Sequence, residues 1–199
     1  MAVDITENFF FTEYSDGVYF NGKATANEFN TVPVPPPPPV SYGTASGYSS
    51  GGAIDRTAVE KFSFTSDGNA VDVGTLTNDT RSGAGQSSNE HGYTSGAYNI
   101  PAYTNIIQKF PFASDGNATD VGDLTQARGY GPGGNMSPSS SGGFGYTSAG
   151  RSQPYAFVNT IDKFPFSTDA NATDVGDLLD VGGDVSSQNS EINGYISGG

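Results

Sequence analysis

The stretch KFPFASDGNATDVGDL at residues 109–124 returns as KFPFSTDANATDVGDL at 163–178, identical at thirteen of sixteen positions. A third version, KFSFTSDGNAVDVGTL at 61–76, matches the 109 stretch at twelve. An element written three times at a period of 20–50 residues implies stacked or radially arranged units, each too small to bury an apolar face alone. Alternation along IIQKFPF sends Ile106, Gln108, Phe110 and Phe112 to one side and Ile107, Lys109 and Pro111 to the other, so the strand carries apolar area on both faces and is expected to lie between neighbours. Phe62, Phe64, Phe110, Phe112, Phe164 and Phe166 are the expected repeat core. Pro111 and Pro165 lack the N–H of a central ladder, which places them at an edge or at a point where pairing stops. The SDGN and TDAN segments read as turns, after which ATDVGDL re-enters a strand with Val121 and Leu124 inward.

Working outward, GYSSGG at 47, GYTSGA at 92, GYTSAG at 145 and GYISGG at 194 mark the start of each unit, at spacings of 45, 53 and 49. One KF-x-F segment lies between successive markers. Residues 41–199 therefore divide into three β-repeats, about 47–91, 92–144 and 145–193, plus a terminal strand. The fold class expected is all-β, with tandem repeats of about fifty residues arranged as propeller blades or as a stacked array. Residues 1–32 stand outside the repeats. Two aromatic runs, Phe9-Phe10-Phe11 and Val18 to Phe20, flank an SDG turn, which reads as a hairpin too small to bury its own rings and so as an anchoring segment, with Phe9, Phe10, Phe11 and Phe20 as assembly residues; the alternative is an unpinned tail. Residues 33–40, PVPPPPPV, form a polyproline II spacer.

Composition excludes several classes. A net charge of −13 opposes nucleic-acid binding, which needs cationic groups to displace phosphate counterions. With no cysteine and a single histidine, His91, thiolate metal sites and Ser-His-Asp triads lack their parts. No run is long and apolar enough for membrane insertion, and the N-terminus carries acidic residues where a signal peptide would be basic. High Gly content, 28 residues, with charged residues at 15%, describes a chain of turns and short strands.

The order of Tyr strand, glycine pair, I-x-K-F strand, DVGDL strand and arginine resembles kelch repeats. The resemblance implies four-stranded blades, with the glycine pair at Gly51–Gly52 and Gly198–Gly199, altered to Gly96–Ala97 and Ala149–Gly150, and the blade arginine at Arg81 and Arg128. The chain departs from kelch in having no tryptophan, and three units are fewer than a closed ring needs. The wording DKFPF…NATDVGDL…GYTSGG is also similar to repeat proteins of marine tailed bacteriophages, cyanophage-like ones in particular. That similarity implies a virion structural protein.

DGNATDVGD offers Asp115, Asn117 and Asp120 as oxygen ligands at alternating positions around a glycine, a pattern calcium loops use, but without the EF-hand spacing and its bidentate Glu. The alternative is Asx turns that cap their own backbone. No other cofactor is implied. Asn-x-Ser/Thr triplets at Asn78, Asn117 and Asn171 fit turn preference, and His91 has no catalytic partners in sequence. Identical acidic copies suit scaffolding, since an active site is built once. The function expected is a non-enzymatic virion protein, a fibre, decoration or attachment appendage, homo-oligomeric and joined to other virion proteins through residues 1–32. The alternative is a module that recognises a host-surface glycan or protein through inter-repeat loops such as residues 128–145.

Overall fold

The structure, a computed structural model, describes residues 9–13, 19–23, 45–52, 54, 57–99, 101–131, 133–136, 143–183, 185–189 and 193–198. The chain is all-β, with every strand pair antiparallel and no helix among the described residues. Met1–Pro39 and Val40–Gly199 separate into two compact units. In the first, β1 (Phe9–Glu13) and β2 (Tyr19–Lys23) pair with Phe11 opposite Asn21 and Thr12 opposite Phe20. The expected hairpin is present, and Phe9, Phe10, Phe11 and Phe20 lie on its strands; the polyproline spacer at 33–40 falls outside the described residues.

In the second unit each of three sheets contains one KF-x-F strand, and the strands that precede the markers at 92 and 145 join the sheet that follows them. β3 (Ser46–Ser50), β4 (Ala58–Ser63) and β5 (Val71–Thr75) form one sheet in chain order. β6 (Ala84–Ser87), β7 (His91–Asn99), β8 (Ala102–Pro111) and β9 (Thr119–Asp123) form the next. A third contains β10 (Gly133–Met136), β11 (Phe144–Ser148), β12 (Arg151–Ser152), β13 (Ala156–Pro165) and β14 (Thr173–Gly182), with β11, β12 and β14 all pairing with β13. β15 (Ser186–Asn189) and β16 (Gly194–Ser197) make a closing hairpin. Each sheet is open; none closes into a barrel or propeller among the described residues.

Three local devices recur in the three sheets that contain a KF-x-F strand. The glycine before each marker tyrosine pairs with the first phenylalanine of KF-x-F: Gly47 opposite Phe62, Gly92 opposite Phe110, Gly145 opposite Phe164. The ring lies across the glycine backbone, so a β-carbon there would come within 2.4, 2.2 and 2.2 Å of it. Asp-Val-Gly is a β-bulge: Ile107 pairs with Gly122 and Gln108 with Asp120, which leaves Val121 as the extra residue. Asp120 Oδ1 accepts the Gly122 N–H at 3.2 Å and fixes the bend, as Asp72 does for Gly74 and Asp174 for Gly176. Third, the residue three places beyond each marker tyrosine takes positive φ, at Gly51 (73°), Gly96 (58°), Ala149 (54°) and Gly198 (92°), where glycine is favoured and alanine is tolerated once.

The core lies between the sheets. One cluster joins Val59 and Leu76 of the first repeat to Phe110 and Ala118 of the second, with Tyr48, Val73 and Phe112 packed on it. The other joins Tyr93, Ile107 and Leu124 of the second to Phe164 and Ala172 of the third, with Val121 and Phe166. Ile107 and Phe110, on opposite faces of β8, therefore serve different neighbours, as their alternation requires. The expected core divides accordingly: Phe110 and Phe164 are buried and Phe112 and Phe166 half-buried, whereas Phe62 and Phe64 are exposed. The first two rings of the series have no preceding repeat against them among the described residues.

Candidate functional site

The polar residues of the sixteen-residue element converge where neighbouring sheets meet. Lys61 Nζ reaches Asp115 Oδ1 at 3.0 Å, and Lys109 Nζ bonds Asp169 in the same way one repeat later. The Asp115 bond raises the Lys61 pKa above its ordinary value. Asn117 Oδ1 accepts the Thr75 N–H at 3.0 Å, and Asn171 Oδ1 accepts that of Asp123 at 3.1 Å. Beside these clamps, the Ala118 N–H donates to Thr75 O at 2.8 Å and the Ala172 N–H to Asp123 O at 2.7 Å. Glycine is required here: a β-carbon on Gly74 would lie 2.3 Å from Gly116 O, and one on Gly122 would lie 2.5 Å from Ala170 O.

Aromatic contacts repeat as closely. Tyr48 stacks on Phe112 with centroids 4.6 Å apart at 23°, and Tyr93 stacks on Phe166 at 4.7 Å and 24°. Hydroxyls run alongside, Ser50 to Thr94 at 2.6 Å and Ser95 to Thr147 at 2.6 Å. Gln86 Nε2 donates to Ser95 Oγ, Thr147 Oγ1 and Tyr146 O at 2.8–2.9 Å and ties β6 to β7 and β11.

One position differs between the two contacts. Gln108 Oε1 accepts the Thr77 N–H at 2.6 Å and the Thr77 hydroxyl at 2.8 Å, while its Nε2 donates to Thr80 Oγ1 at 2.9 Å. Asp162 replaces Gln108 in the third repeat, accepts from the Thr125 N–H and hydroxyl at 2.9 and 2.6 Å, and faces Arg128 instead of a threonine. The blade arginine drawn from the kelch resemblance thus occupies a buried contact at Arg128, whereas the corresponding place in the first repeat belongs to Thr80; Arg81 instead bridges Tyr98.

The calcium candidates do not converge. Asp115 turns to Lys61, Asn117 to the Thr75 backbone and Asp120 to Gly122, and no group of three or more His, Asp or Glu suited to a metal forms among the described residues. Capping of its own backbone holds for Asp120, as for Asp72 and Asp174, while Asn117 and Asn171 reach across to the adjacent repeat. His91 lies edge-on to Tyr93 at 6.4 Å, and burial together with Lys109 lowers its pKa.

A groove of about 510 Å3 opens beside the first contact, lined among others by Tyr48, Phe64, Phe112, Gln86 and Ser87. The cross-repeat roles of Asn117 and Gln108 were not readable from one unit in isolation. The signal for Asn117 was the retention of Asn at 69, 117 and 171, whereas the Gln108 position varies, as Glu60, Gln108 and Asp162. No protein-family profile matches the chain, and no curated protein matches it.

Proposed function

We propose that this chain is a non-enzymatic structural protein of a virus particle, a fibre, decoration or attachment appendage, in which residues 1–32 anchor, residues 33–40 space, and three β-repeats stack into an open array for display. One observation carries the reading: the tyrosine stack, lysine–aspartate pair, asparagine clamp and glycine approach between the first and second repeats all recur between the second and third, the lysine 48 residues along and the aspartate 54. A set copied in this way uses its polar atoms to hold neighbours in register, which is the requirement of a repeat scaffold. Particle membership is supported by the likeness of the repeat wording to marine phage proteins, and homo-oligomerisation by the apolar faces left at both ends of the array. The test is incorporation. A tagged chain produced during infection should co-purify with phage particles, and deletion of residues 1–32 should leave it in the lysate; a chain that never enters particles sinks the proposal.

The groove favours a second reading, recognition of a host-surface glycan, because aromatic faces beside amide and hydroxyl groups suit a sugar ring. Glycan-array binding by the full chain that disappears in Ser87→Trp, which fills the groove, would support it. An array without bound chain removes it.

A further inference from the structure

Each internal contact has a receiving face and a delivering face, and the array exposes one of each. The receiving face of the first repeat presents Phe62, 40% exposed, and Phe64, 61% exposed, whose rings already stand edge-to-face at 5.5 Å and 85°. The occupied pairs Phe110–Phe112 and Phe164–Phe166 have the same arrangement, at 6.0 Å and 72° and at 5.8 Å and 77°. Asp67, Asn69 and Ala70, the counterparts of Asp115, Asn117 and Ala118, are exposed beside them.

The delivering face of the third repeat presents Tyr146, Ile161, Val175 and Leu178. Ile161 and Leu178 are half-buried where their counterparts Ile107 and Leu124 are 0% and 2% exposed, and Val175 is 50% exposed where its counterpart Val121 is half-buried. Lys163, counterpart of Lys61 and Lys109, has no acidic partner among the described residues and lies 3.8 Å over the Phe144 ring. A β-carbon on Gly176 would meet nothing within 4 Å, although the same glycine in both earlier repeats is closed over by a carbonyl.

β16 repeats the pattern at the level of the sheet. Its counterparts β3, β7 and β11 each pair with a KF-x-F strand, while among the described residues β16 pairs with β15 alone. Gly194–Gly199 differs from Gly47–Gly52 at one position of six. Among the described residues β16 thus has one unpaired edge, and its sequence is that of the strand that pairs with β4.

We propose that a second molecule of this chain docks head-to-tail on the third repeat: its β4–β5 hairpin pairs with β16 in the place of its own β3 and sets Phe62 and Phe64 on Tyr146, Val175 and Leu178. Lys163 then pairs with Asp67 of the second molecule, Asn69 accepts the Asp177 N–H, and Gly176 passes under the Gly68 carbonyl. These are continuations of the two contacts within the chain. One element is not continued. Thr77 and Thr125 are replaced by Leu179, so the acceptor supplied by Glu60 gains no hydroxyl partner, and the contact between molecules is weaker than those inside one. Because the two faces are different surfaces, association is heterologous, and it grows open chains unless the rotation from one molecule to the next closes a ring.

The inference rests on the structural reading above and deepens it. Sedimentation velocity of the full chain should show mass rising with concentration. Phe64→Glu and Val175→Glu, each at an exposed position, should lower the association constant by at least about tenfold. A 1:1 mixture should recover association, because each variant retains the face the other has lost. Zero-length carbodiimide coupling of mixed 15N-labelled and unlabelled chains should yield a Lys163–Asp67 peptide of mixed isotopes. Lys61–Asp115 and Lys109–Asp169 peptides of single isotope composition serve as internal controls. Mass that does not depend on concentration, or association unchanged in both variants, overturns the proposal. Self-association that persists in a chain absent from particles would instead sink only the particle role.

Discussion

Arg128 Nη2 lies 3.1 Å from Asp162 Oδ2, with both side chains sealed from solvent between the second and third repeats. Nη2 also donates to Thr147 O at 2.8 Å. Desolvation pulls the arginine pKa below its ordinary value and the aspartate charge opposes that pull. The first contact handles the same place with neutral groups, Gln108 against Thr77 and Thr80. The chain therefore contains a charged and an uncharged solution to one packing problem, and their exchange is a direct experiment.

Asp162→Ala leaves a buried guanidinium without its counter-charge and is expected to cost about 3–5 kcal/mol in urea unfolding. Arg128→Thr alone should cost a similar amount by stranding the carboxylate. The pair Arg128→Thr with Asp162→Gln rebuilds the neutral arrangement and should recover most of the loss, giving a strongly non-additive double-mutant cycle. Additive costs would mean that the two residues do not act as a pair.

Gly122 and Gly176 occupy the same place in Asp-Val-Gly and share φ values of 151° and 146°. Only Gly122 has a carbonyl 2.5 Å from where a β-carbon would sit. Gly176→Ala should therefore cost only the dihedral strain, about 1 kcal/mol, whereas Gly122→Ala adds a backbone clash and should lose at least about 2 kcal/mol. Thermal unfolding of the two variants below the concentration of self-association measures the difference.

The element itself was legible because repetition and alternation are properties of one chain. Ile107 and Phe110 facing opposite neighbours follows from period two, and Pro111 ends β8 as its missing N–H requires. What Asn117 does was not legible, since an asparagine beside a glycine caps its own turn as readily as it accepts the Thr75 N–H from another sheet. The choice is made by how close the sheets approach, which depends on Gly74 and on the bulge at Val73. The glycine before each tyrosine was likewise visible as a constant, but its cause lies across the ladder, in the ring that covers it. The kelch likeness suggested blades, yet a ring depends on the angle between sheets, and local sequence does not encode that angle. Arg81 and Arg128 differ by one residue in distance from the DVG motif, enough to send one to Tyr98 and the other into the core.

Burial pushes the Tyr93 hydroxyl up to about 12 from an ordinary 10.0. The folded state therefore favours the neutral phenol. Below pH 10 both folded and unfolded forms are protonated and stability is full; between 10 and about 12 the unfolded phenol ionises first, so stability falls as pH rises. Tyr93→Phe should show a shallower decline across that window in urea titrations at successive pH values, together with a lower plateau if the Ser88 contact matters. An unchanged slope would place the alkaline sensitivity in other tyrosines.

Phe64, Phe112 and Phe166 are the same residue of the repeat in three settings. Phe112 and Phe166 carry a stacked tyrosine from the preceding repeat, and Phe64 is exposed. If packing between repeats supplies the stability, Phe112→Ala and Phe166→Ala should each cost about 2–3 kcal/mol, at the low end for a truncated aromatic because the rings are half-buried. Phe64→Ala should stay within about 0.5 kcal/mol for dilute, unassociated chain. Raising the protein concentration should then separate Phe64→Ala from wild type, since the wild-type ring gains a tyrosine only when a second molecule arrives. Equal costs at all three positions in dilute solution would show that the phenylalanines stabilise their own sheets, and the account of repeats held by their neighbours would fail.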